Sequence, residues 1–375
     1  MKPLRILHTE PSTGLGGQEI RILSEAVGMA KRGHAVILAV PPNSKLKELA
    51  ERVGLGVEPV SQTLRRFVPL IFEFLFLIRK HRIQILNTHG SVDSWTASIA
   101  GRLSSQKPII IRSRHKSTPF SKNLRHKILY QMLPHVIVTT GVAVRKLFIQ
   151  EHGLDETKVV SIPTGVDFDT FHTPLPSNTI TSDLGLSTQD FIVGTVGFIR
   201  YEKGLNYFVD AAGLVLQQHP DVKFLLVGEG PEEENLKRKI EDIGLSKSIV
   251  LTGFRKDIPD LLAIMNVFVL SSIEEGLPQT LTQAMAMQRP VVATDVGSVG
   301  EVVKHGTTGL LVPPRNCKAL AESITVLIQD QTLREALGRA GRDLIAKSYS
   351  MESMLDQTED LYVRLLQTSS SLIPS

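Results

Sequence analysis

The sequence predicts an α/β protein built from two parallel β-sheets, each in a domain of its own. Short apolar runs of strand length alternate with segments of helical period, which is the pattern of βαβ units. The chain of 375 residues exceeds the size at which one hydrophobic core usually stops growing. A stretch of low periodicity that contains Pro and Gly, residues 162–182, separates two series of these runs. We therefore expect two domains joined through this stretch.

The predicted strands fall on both sides of that stretch. After Cys317 the pattern becomes helical as far as Gln367. We place a first domain at residues 1–178, a second at 179–350, and a carboxyl-terminal helix with a short flexible tail at 351–375. We expect that helix to pack back on the first domain. The predicted strands are 4–9, 35–40, 84–88, 109–111 and 136–138 in the first series, and 191–195, 224–227, 249–251, 267–270 and 291–293 in the second.

Cysteine content and the amino-terminal sequence indicate the compartment in which the protein works. The chain has one cysteine, so it can form neither an intramolecular disulfide framework nor a cysteine-rich zinc site. The first 40 residues lack a long apolar stretch before a small-residue cleavage site, and a signal peptide is not expected. We expect a cytoplasmic protein without a resident metal.

Charge is unevenly distributed along the chain. Residues 1–190 carry a net charge of +9 and residues 191–375 carry −5. A basic first half suits an anionic partner, such as a phosphorylated substrate, nucleic acid or an acidic membrane surface, but a solvated surface would look the same. Because the basic residues are dispersed and lack interleaved aromatics, we expect no nucleic-acid partner.

The segment 67–78 is strongly apolar and has basic residues on both sides. It is shorter than the ~20 residues that a membrane-spanning helix needs. Two interpretations stay open: a helix in peripheral contact with an anionic membrane, for which the flanks are suited, or an ordinary core helix of the first domain, which Glu73 within the segment favours. The basic flanks are Arg65, Arg66, Arg79, Lys80 and Arg82.

Two glycine loops follow predicted strands and precede helices. In the first loop, Gly14, Gly16 and Gly17 follow residues 4–9. Glycine lets backbone N–H groups approach a ligand, and a helix amino terminus favours an anion such as a diphosphate. A tight turn without a ligand needs the same residues. The spacing is not G-x-G-x-x-G, which disfavours a nicotinamide-dependent dehydrogenase.

The second loop, which starts at Gly197, carries fixed positive charges. Arg200 and Lys203 lie where a strand leads into a helix. A guanidinium and an ammonium can neutralise the charge that develops on a departing nucleotide diphosphate. The alternative is a solvated helix start, although a lysine there is not favoured by the helix dipole.

A carboxylate segment, residues 271–287, follows the predicted strand 267–270. Pro278 and the apolar residues after it predict a helix that begins near that proline. The amino terminus of this helix would face the carboxyl ends of the strands, where open α/β sheets bind ligands.

At this segment the chain resembles the family 4 glycosyltransferases of bacterial cell-surface polysaccharide and lipopolysaccharide biosynthesis. These are retaining enzymes of the GT-B fold, whose signature is Glu, seven residues, then Glu. The resemblance spans nearly the whole chain and implies two Rossmann-like domains facing across a deep cleft. Further matches are Gly16-Gly17, the run 162–167, Gly197 with Lys203-Gly204, and the run 227–231.

The resemblance implies roles for the signature residues. Glu275 is expected to contact donor-sugar hydroxyls, and the backbone of Gly276, Leu277, Pro278 and Gln279 to hold the diphosphate. Gln283 stands where the family has its second Glu, which usually binds the ribose; an amide can still accept one hydrogen bond and donate another. Phe198 stands where the family often has Arg, so Arg200 is the expected substitute.

Further site residues are implied by the same resemblance. His89, after the strand 84–88, is the expected catalytic histidine near the transferred sugar, together with Arg200, Lys203 and Glu275. Asp93 and His115 are acceptor-side candidates, for which a structural hydrogen bond or a solvated loop is the alternative. Donor-binding candidates elsewhere are Gly16, Gly17, Gly197, Phe254, which is otherwise a core residue, and Glu301, which is otherwise a helix-start carboxylate.

The expected function is transfer of a hexose-type sugar from a UDP- or GDP-sugar to a glycan or lipid-linked acceptor in the cell envelope. The resemblance implies no cofactor or metal, and a cytoplasmic location, peripheral on the inner face of the membrane. Two alternatives are a catalytically silent nucleotide-sugar-binding protein and a GT-B-fold UDP-sugar epimerase. The sugar, the base and the acceptor are not predicted, since a few contacts decide them.

Overall fold

A computed structural model describes residues 2–115, 123–172 and 178–371. The chain divides into two compact units, and the carboxyl-terminal residues belong to the first. Unit 1 is Met1–Gly165 with Glu352–Ser375, and unit 2 is Val166–Met351.

The boundary lies earlier than the predicted 178/179. Val166 already pairs with the end of unit 2, because its N–H donates to the Tyr349 carbonyl (2.8 Å) and its carbonyl accepts from Met351 N–H (2.8 Å). The proline- and glycine-containing stretch is thus part of unit 2 from Val166 onward, among the residues described, and not a neutral connection. The predicted tail at 372–375 lies outside the described residues.

Unit 1 contains, in its described part, a seven-stranded parallel sheet of order β3-β2-β1-β4-β5-β6-β7. The strands are β1 (Arg5–Thr9), β2 (Ala35–Val40), β3 (Gly56–Pro59), β4 (Ile85–Thr88), β5 (Ile109–Arg114), β6 (Val136–Thr139) and β7 (Val159–Ser161). The helices are α1 (Gly17–Lys31), α2 (Lys45–Arg52), α3 (Phe67–His81), α4 (Ser91–Leu103), α5 (Leu124–Lys127), α6 (Val142–His152) and, at the other end of the chain, α15 (Met351–Ser371).

Unit 2 contains, among its described residues, a six-stranded parallel sheet of order β10-β9-β8-β11-β12-β13. The predicted pair of parallel-sheet, Rossmann-like domains is confirmed. The strands are β8 (Ile192–Val196), β9 (Lys223–Val227), β10 (Ile249–Leu251), β11 (Val267–Leu270), β12 (Val291–Thr294) and β13 (Leu310–Val312); the helices are α7 (Asn178–Asp183), α8 (Leu205–Leu216), α9 (Glu233–Asp242), α10 (Ile258–Ile264), α11 (Gln279–Ala286), α12 (Val299–Val302), α13 (Cys317–Gln329) and α14 (Gln331–Ser348).

The inner strands are buried on both faces, as expected where crossover helices cover a parallel sheet. Every residue of β4, β6, β8, β11 and β12 is buried. These are the apolar runs that the sequence pattern identified. Three strands were not predicted, namely β3, β7 and β13. Each has three or four residues and lies at an edge of its sheet.

Helix α15 contacts α1 and the residues that follow it. Arg32 lies 2.6 Å from Glu352, 2.7 Å from Asp356 and 2.8 Å from Glu359. These carboxylates recur at helical spacing, so one guanidinium faces three of them. A Cβ on Gly28 would collide with Leu355, which shows how closely the two helices approach.

Candidate functional site

Each sheet has a topological switch point, where the strand order reverses. At this point the connections that follow two neighbouring strands lead toward opposite edges of the sheet. In unit 2, β8 lies between β9 and β11, and in unit 1, β1 lies between β2 and β4. Ligands of open α/β folds bind at the carboxyl ends of strands at such points. The loops after β8 and β11 therefore form the candidate site of unit 2, and the loops after β1 and β4 that of unit 1.

The loops of the unit 2 site are held together by close backbone contacts. Gly204 has φ +59°, and a Cβ there would collide with the Ser271 carbonyl. Gly297 has φ +54°, and a Cβ there would collide with the Glu275 carbonyl. The loops that follow β8 and β12 thus both pack against the loop after β11, and glycine is required at both positions.

Lys203 and Glu275 form an ion pair at the centre of these loops. The Glu275 side chain is only 9% exposed and Lys203 is 16% exposed. Ser272 Oγ donates a second hydrogen bond, of 2.8 Å, to the same carboxylate oxygen, Oε1. The structure therefore brings together two residues that the sequence predicted separately, and it adds Ser272, which carried no recognisable signal.

Arg200 occupies a different position in this loop. Its side chain is half exposed, and Nε lies 3.6 Å from Glu202 Oε2. Its backbone carbonyl accepts from Lys203 N–H (3.0 Å), but within the described part of the chain no hydrogen bond or ion pair joins the Arg200 side chain to Lys203 or Glu275. Phe198 is 53% exposed beside buried Ile199. That Arg200 substitutes for the arginine that the family often has at position 198 stays a prediction.

Helix α11 begins directly after the carboxylate loop. Pro278 is its N-cap and carries no N–H, so the amides available to a diphosphate in this run are those of Gly276, Leu277 and Gln279. The first N–H groups of a helix have no partner within the helix and favour an anion. Gln283, one turn further on, is half-buried. The helix predicted from Pro278 onward is confirmed.

Two further donor-binding candidates lie in unit 2. Phe254 is 60% exposed, so the interpretation as a core residue is wrong, while base contact stays a prediction. Glu301 lies in α12, and its N–H donates to the Ser298 carbonyl (3.1 Å). Its carboxylate is half-buried. Gly197 donates its N–H to the Val227 carbonyl (2.9 Å), which fixes the start of the loop after β8.

In unit 1, three histidines form a row at the carboxyl edge of the sheet. His89 Nε2 lies 3.0 Å from His8 Nδ1, and His89 Nδ1 lies 3.0 Å from His115 Nε2. Both ring nitrogens of His89 are therefore occupied. The row continues inward, where His8 Nε2 is 3.9 Å from Glu25 Oε1, and Tyr362 of α15 donates to the same oxygen (2.8 Å).

The rings of this histidine row are neutral at physiological pH. Burial, and then the neighbouring histidines and Arg112, hold the pKa of His89 well below its ordinary value. Burial and the charges of Arg21 and Arg112 do the same to the pKa of His115. Each close nitrogen pair then shares one proton, donated by one ring and accepted by the next. Asp93 and His115 were predicted together on the acceptor side; only His115 belongs to the row.

Asp93 has a structural position. Its side chain is fully buried, and Oδ2 accepts hydrogen bonds from Thr9 Oγ1 (2.7 Å), His89 N–H (2.9 Å) and Gly90 N–H (3.1 Å). The carboxylate caps α4 and ties it to β1. The solvated-loop alternative is wrong, the hydrogen-bonding alternative is confirmed, and an acceptor contact stays a prediction.

The first glycine loop contains carboxylates that the sequence reasoning did not consider. Gly16 is the N-cap of α1, and its N–H donates to Glu19 Oε2 (2.8 Å). Glu19 thus occupies the position expected for an anion at Gly16 and Gly17. Buried Glu10 also lies in this loop and accepts from Ser12 N–H (2.9 Å) and Gln18. Burial and the charge of Asp93 raise the pKa of Glu10 to about 7. The geometry disfavours a diphosphate here.

Two family models match the chain, one on each side of the interdomain stretch. Residues 15–170 match the model described as Glycosyltransferase Family 4, and residues 177–344 match the model described as Glycosyl transferases group 1. Two Rossmann-like parallel sheets with this carboxylate segment at a switch point define a GT-B glycosyltransferase. The chain belongs to the family 4, group 1 glycosyltransferases.

Similar proteins include two curated bacterial enzymes and a solved structure. The UDP-Gal:alpha-D-GlcNAc-diphosphoundecaprenol alpha-1,3-galactosyltransferase of Escherichia coli is 26% identical over 77% of this chain and 78% of its own length. The capsular polysaccharide biosynthesis glycosyltransferase CapM of Staphylococcus aureus is 25% identical over 91% and 93%. HepE from Anabaena, solved in complex with UDP-glucose, has a TM-score of 0.84 with 22% identity over 97% of this chain and all of that one; it supports the fold.

Proposed function

We propose that this chain is a retaining hexosyltransferase that uses a nucleotide-diphosphate sugar and acts in bacterial cell-envelope glycan synthesis. The observation that carries the proposal is the ion pair of Lys203 and Glu275 at the switch point of unit 2, beside the amino terminus of α11. Similarity to the Escherichia coli galactosyltransferase and to CapM supports a glycan or lipid-linked acceptor.

The ion pair leaves donors and acceptors for a nucleotide sugar. An ammonium has three N–H donors, of which Lys203 directs one at Glu275 Oε1. We assign the others to diphosphate oxygens, together with the amides of Gly276, Leu277 and Gln279. Glu275 Oε1 is engaged by Lys203 and Ser272, which orients the carboxylate, and we assign Oε2 to the sugar hydroxyls.

The chemistry we propose is front-face attack by the acceptor hydroxyl as the diphosphate leaves. The bond between the anomeric carbon of the sugar and the diphosphate oxygen breaks, a bond between that carbon and the acceptor oxygen forms on the same face, and an oxygen of the leaving diphosphate takes the acceptor proton. No protein nucleophile is needed, so Lys203, Arg200 and the amides act by positioning and by stabilising the leaving charge. These cations supply the positive charge for which other enzymes use a metal, and we propose a metal- and cofactor-independent reaction.

His89 has a more constrained role than a free catalytic base. Because both of its ring nitrogens face other histidines, a direct contact with the sugar requires one of these hydrogen bonds to open. His115 is the most exposed member of the row, and we propose it as the histidine that contacts the acceptor.

We also propose a cytoplasmic location. A chain with a single cysteine suits a reducing compartment, because it forms no intramolecular disulfide bond.

Donor binding by the unchanged chain and by the Lys203→Gln and Glu275→Gln variants tests these assignments. UDP-, GDP- and ADP-sugars are screened by thermal shift, since a ligand that binds the folded state stabilises it; affinities for the best nucleotide sugar and for its nucleotide diphosphate are then measured. We expect Lys203→Gln to weaken both by about 10-fold, from the loss of one charge-assisted contact. Glu275→Gln is expected to weaken binding of the sugar nucleotide alone.

The matched control is Lys237→Gln, which removes an exposed lysine that pairs with Glu233 (2.9 Å) and Glu234 (3.3 Å) in α9. It should bind both ligands like the unchanged protein. A circular dichroism spectrum confirms that each variant is folded. The absence of a thermal shift with every nucleotide sugar would contradict the proposal, as would equal effects of all three substitutions. Donor binding without transfer to any added acceptor would indicate the catalytically silent alternative, and a rearranged donor sugar the epimerase.

A further inference from the structure

Helix α3 exposes an apolar stripe on the side opposite its core contacts. Leu70, Phe74, Leu77 and Ile78 are buried in the core of unit 1. Val68, Phe72 and Phe76, in contrast, are 60%, 66% and 62% exposed. Both interpretations of this segment therefore find a structural basis, one on each face of the helix.

The stripe is continuous along the helix. Its three side chains recur every four residues, so at 3.6 residues per turn they fall within an arc of about 80° and span about 12 Å. Single exposed apolar residues are ordinary on protein surfaces, whereas contiguous apolar patches mark interaction sites. Two phenylalanines and a valine on successive turns, with solvent on one side, form such a patch.

The surroundings of the stripe are basic. Arg65, Arg79 and Arg82 are exposed, and none of them forms an ion pair with any residue that the structure describes. Two acidic residues that pair with basic residues in or beside α3 are Glu73 and Glu58. Glu73 pairs with Arg66 (3.1 Å), and Glu58 pairs with Lys80 (2.8 Å) and lies 2.6 Å from His81.

The orientation of α3 relates the stripe to the candidate site of unit 1. Helix α3 connects β3 to β4 in a parallel sheet, and a crossover helix runs opposite to the strands that it joins. Its amino-terminal end, with Arg65 and Val68, therefore lies toward the carboxyl edge of the sheet. His89 and the first glycine loop are at that same edge.

We propose that the α3 face, made of Arg65, Val68, Phe72, Phe76 and Arg79, binds an anionic lipid surface, with the helix axis parallel to the membrane plane. Apolar side chains would enter the headgroup boundary while the guanidinium groups meet lipid phosphates, which is the physical pattern of interfacial helices. The buried residues of α3 remain in the protein core. The described residues contain no helix long and apolar enough to cross a membrane. The proposal extends the proposed function, because an enzyme with a lipid-linked acceptor works at a membrane surface. Binding of the protein to lipid can nevertheless be measured without donor or acceptor.

Co-sedimentation of the full chain with vesicles tests the proposal. The vesicles are phosphatidylcholine alone, or equal parts of phosphatidylcholine and phosphatidylglycerol. We expect binding to the anionic vesicles that falls as salt is raised. Phe72→Gln with Phe76→Gln should lower the partition coefficient by about 10-fold or more, because two exposed aromatic side chains lose their burial in lipid. Glutamine is a good helix former, and neither position contributes to the core.

Ile243→Gln with Val326→Gln is the matched control, since it replaces two apolar residues of unit 2 that are 45% and 44% exposed. It should bind vesicles like the unchanged chain. Arg65→Gln with Arg79→Gln should lower binding to anionic vesicles by about 10-fold and leave binding to neutral vesicles unchanged. Circular dichroism and nucleotide-sugar binding, which do not depend on this face, report whether each variant is folded.

Three results would overturn the proposal. One is an unchanged chain that does not sediment with anionic vesicles. Another is equal vesicle binding by the double-phenylalanine variant and the unchanged chain. The third is a dimer, detected by light scattering without lipid, that the phenylalanine replacements abolish, since the stripe would then be covered by a second copy. If the unchanged chain bound anionic vesicles but no nucleotide sugar, the result would contradict the transferase assignment and would still support lipid binding by α3.

Discussion

Lys203 and Glu275 show what residue types in sequence can and cannot reveal. Each was identified from its own loop, Lys203 as a charge after a strand and Glu275 as a signature carboxylate. Their direct contact depends on the sheet order, which places β8 next to β11 although the residues are 72 positions apart. Ser272 was missed because a single serine in a loop has no pattern until its partner is located.

Glu10 is the residue for which the structure gives a clear dependence on pH. Its folded-state pKa of about 7 lies above the ordinary 4.5, so the folded protein binds more protons than the unfolded chain between these values. The contribution of Glu10 to the free energy of unfolding is therefore favourable at acidic pH and is lost as pH rises from about 4.5 to about 7.

Glu10→Gln should remove this dependence. At pH 8 we expect the variant to be more stable than the unchanged protein, by up to about 3 kcal/mol, and the advantage should disappear near pH 4.5. The measurement is urea unfolding of both proteins across this range. Glu151→Gln, on the exposed side of α6, controls for the loss of one carboxylate. A stability difference for Glu10→Gln that does not change with pH would contradict the assignment.

At the scale of elements, apolar runs predicted the strands that are buried on both faces. The terminal strands β3, β7 and β13 were missed, although they are no shorter than the predicted β10. Strands β3 and β7 include polar residues, Gly or Pro, and β13 is a run of three residues between a glycine-containing turn and two prolines. The polar interior was also missed. His8 in β1, Asn87 in β4 and Arg112 in β5 are all buried. Their partners lie in other strands, in the loop after β4, in α1 and in α15, so no local sequence pattern predicts them.

Arg32 tests the contact between α15 and the rest of unit 1. Arg32→Gln would leave Glu352, Asp356 and Glu359 facing one another without their shared cation. Because two of these carboxylates are largely exposed, we expect a loss on the order of 1 kcal/mol, or a fall in Tm of roughly 2–4 °C. Differential scanning calorimetry at low salt measures it, and high salt should reduce the difference.

The neighbouring Lys31 provides the control for this substitution. It is exposed at the end of α1 and forms no ion pair with the described residues, so Lys31→Gln removes the same charge without breaking the contact. A Tm equally lowered by both substitutions would show that net charge, and not the contact with α15, is responsible.

At the scale of the whole molecule, the two parallel-sheet domains were predictable and their boundaries were not. The alternation of strands and helices, together with the chain length, is sufficient to predict two domains. The position of the boundary depends on hydrogen bonds of Val166 with Tyr349 and Met351, and these residues are far apart in sequence. Proline and glycine content locates irregular backbone, and irregular backbone at 166–172 turned out to belong to unit 2.

Unit 2 should fold when expressed alone as residues 166–351. It has its own sheet and its own buried clusters on both faces, and its first and last residues are hydrogen-bonded neighbours. We expect a single cooperative thermal transition. A fragment of residues 1–165 should in contrast fail to fold, because it lacks α15, and adding residues 352–371 as a separate peptide should restore structure. A cooperative transition of 1–165 alone would contradict this expectation.

The adjacency of Val166 and Met351 has a consequence for the order in which the protein matures on the ribosome. Unit 2 is an insertion within unit 1, so the portion translated first is the portion finished last. Glu25 and Arg32 emerge early, but Tyr362 and the acidic side of α15 reach them only after the whole of unit 2 has been translated. Until then the early segment is an incomplete domain, and the growing chain would depend on chaperones most heavily before its final helix has left the tunnel.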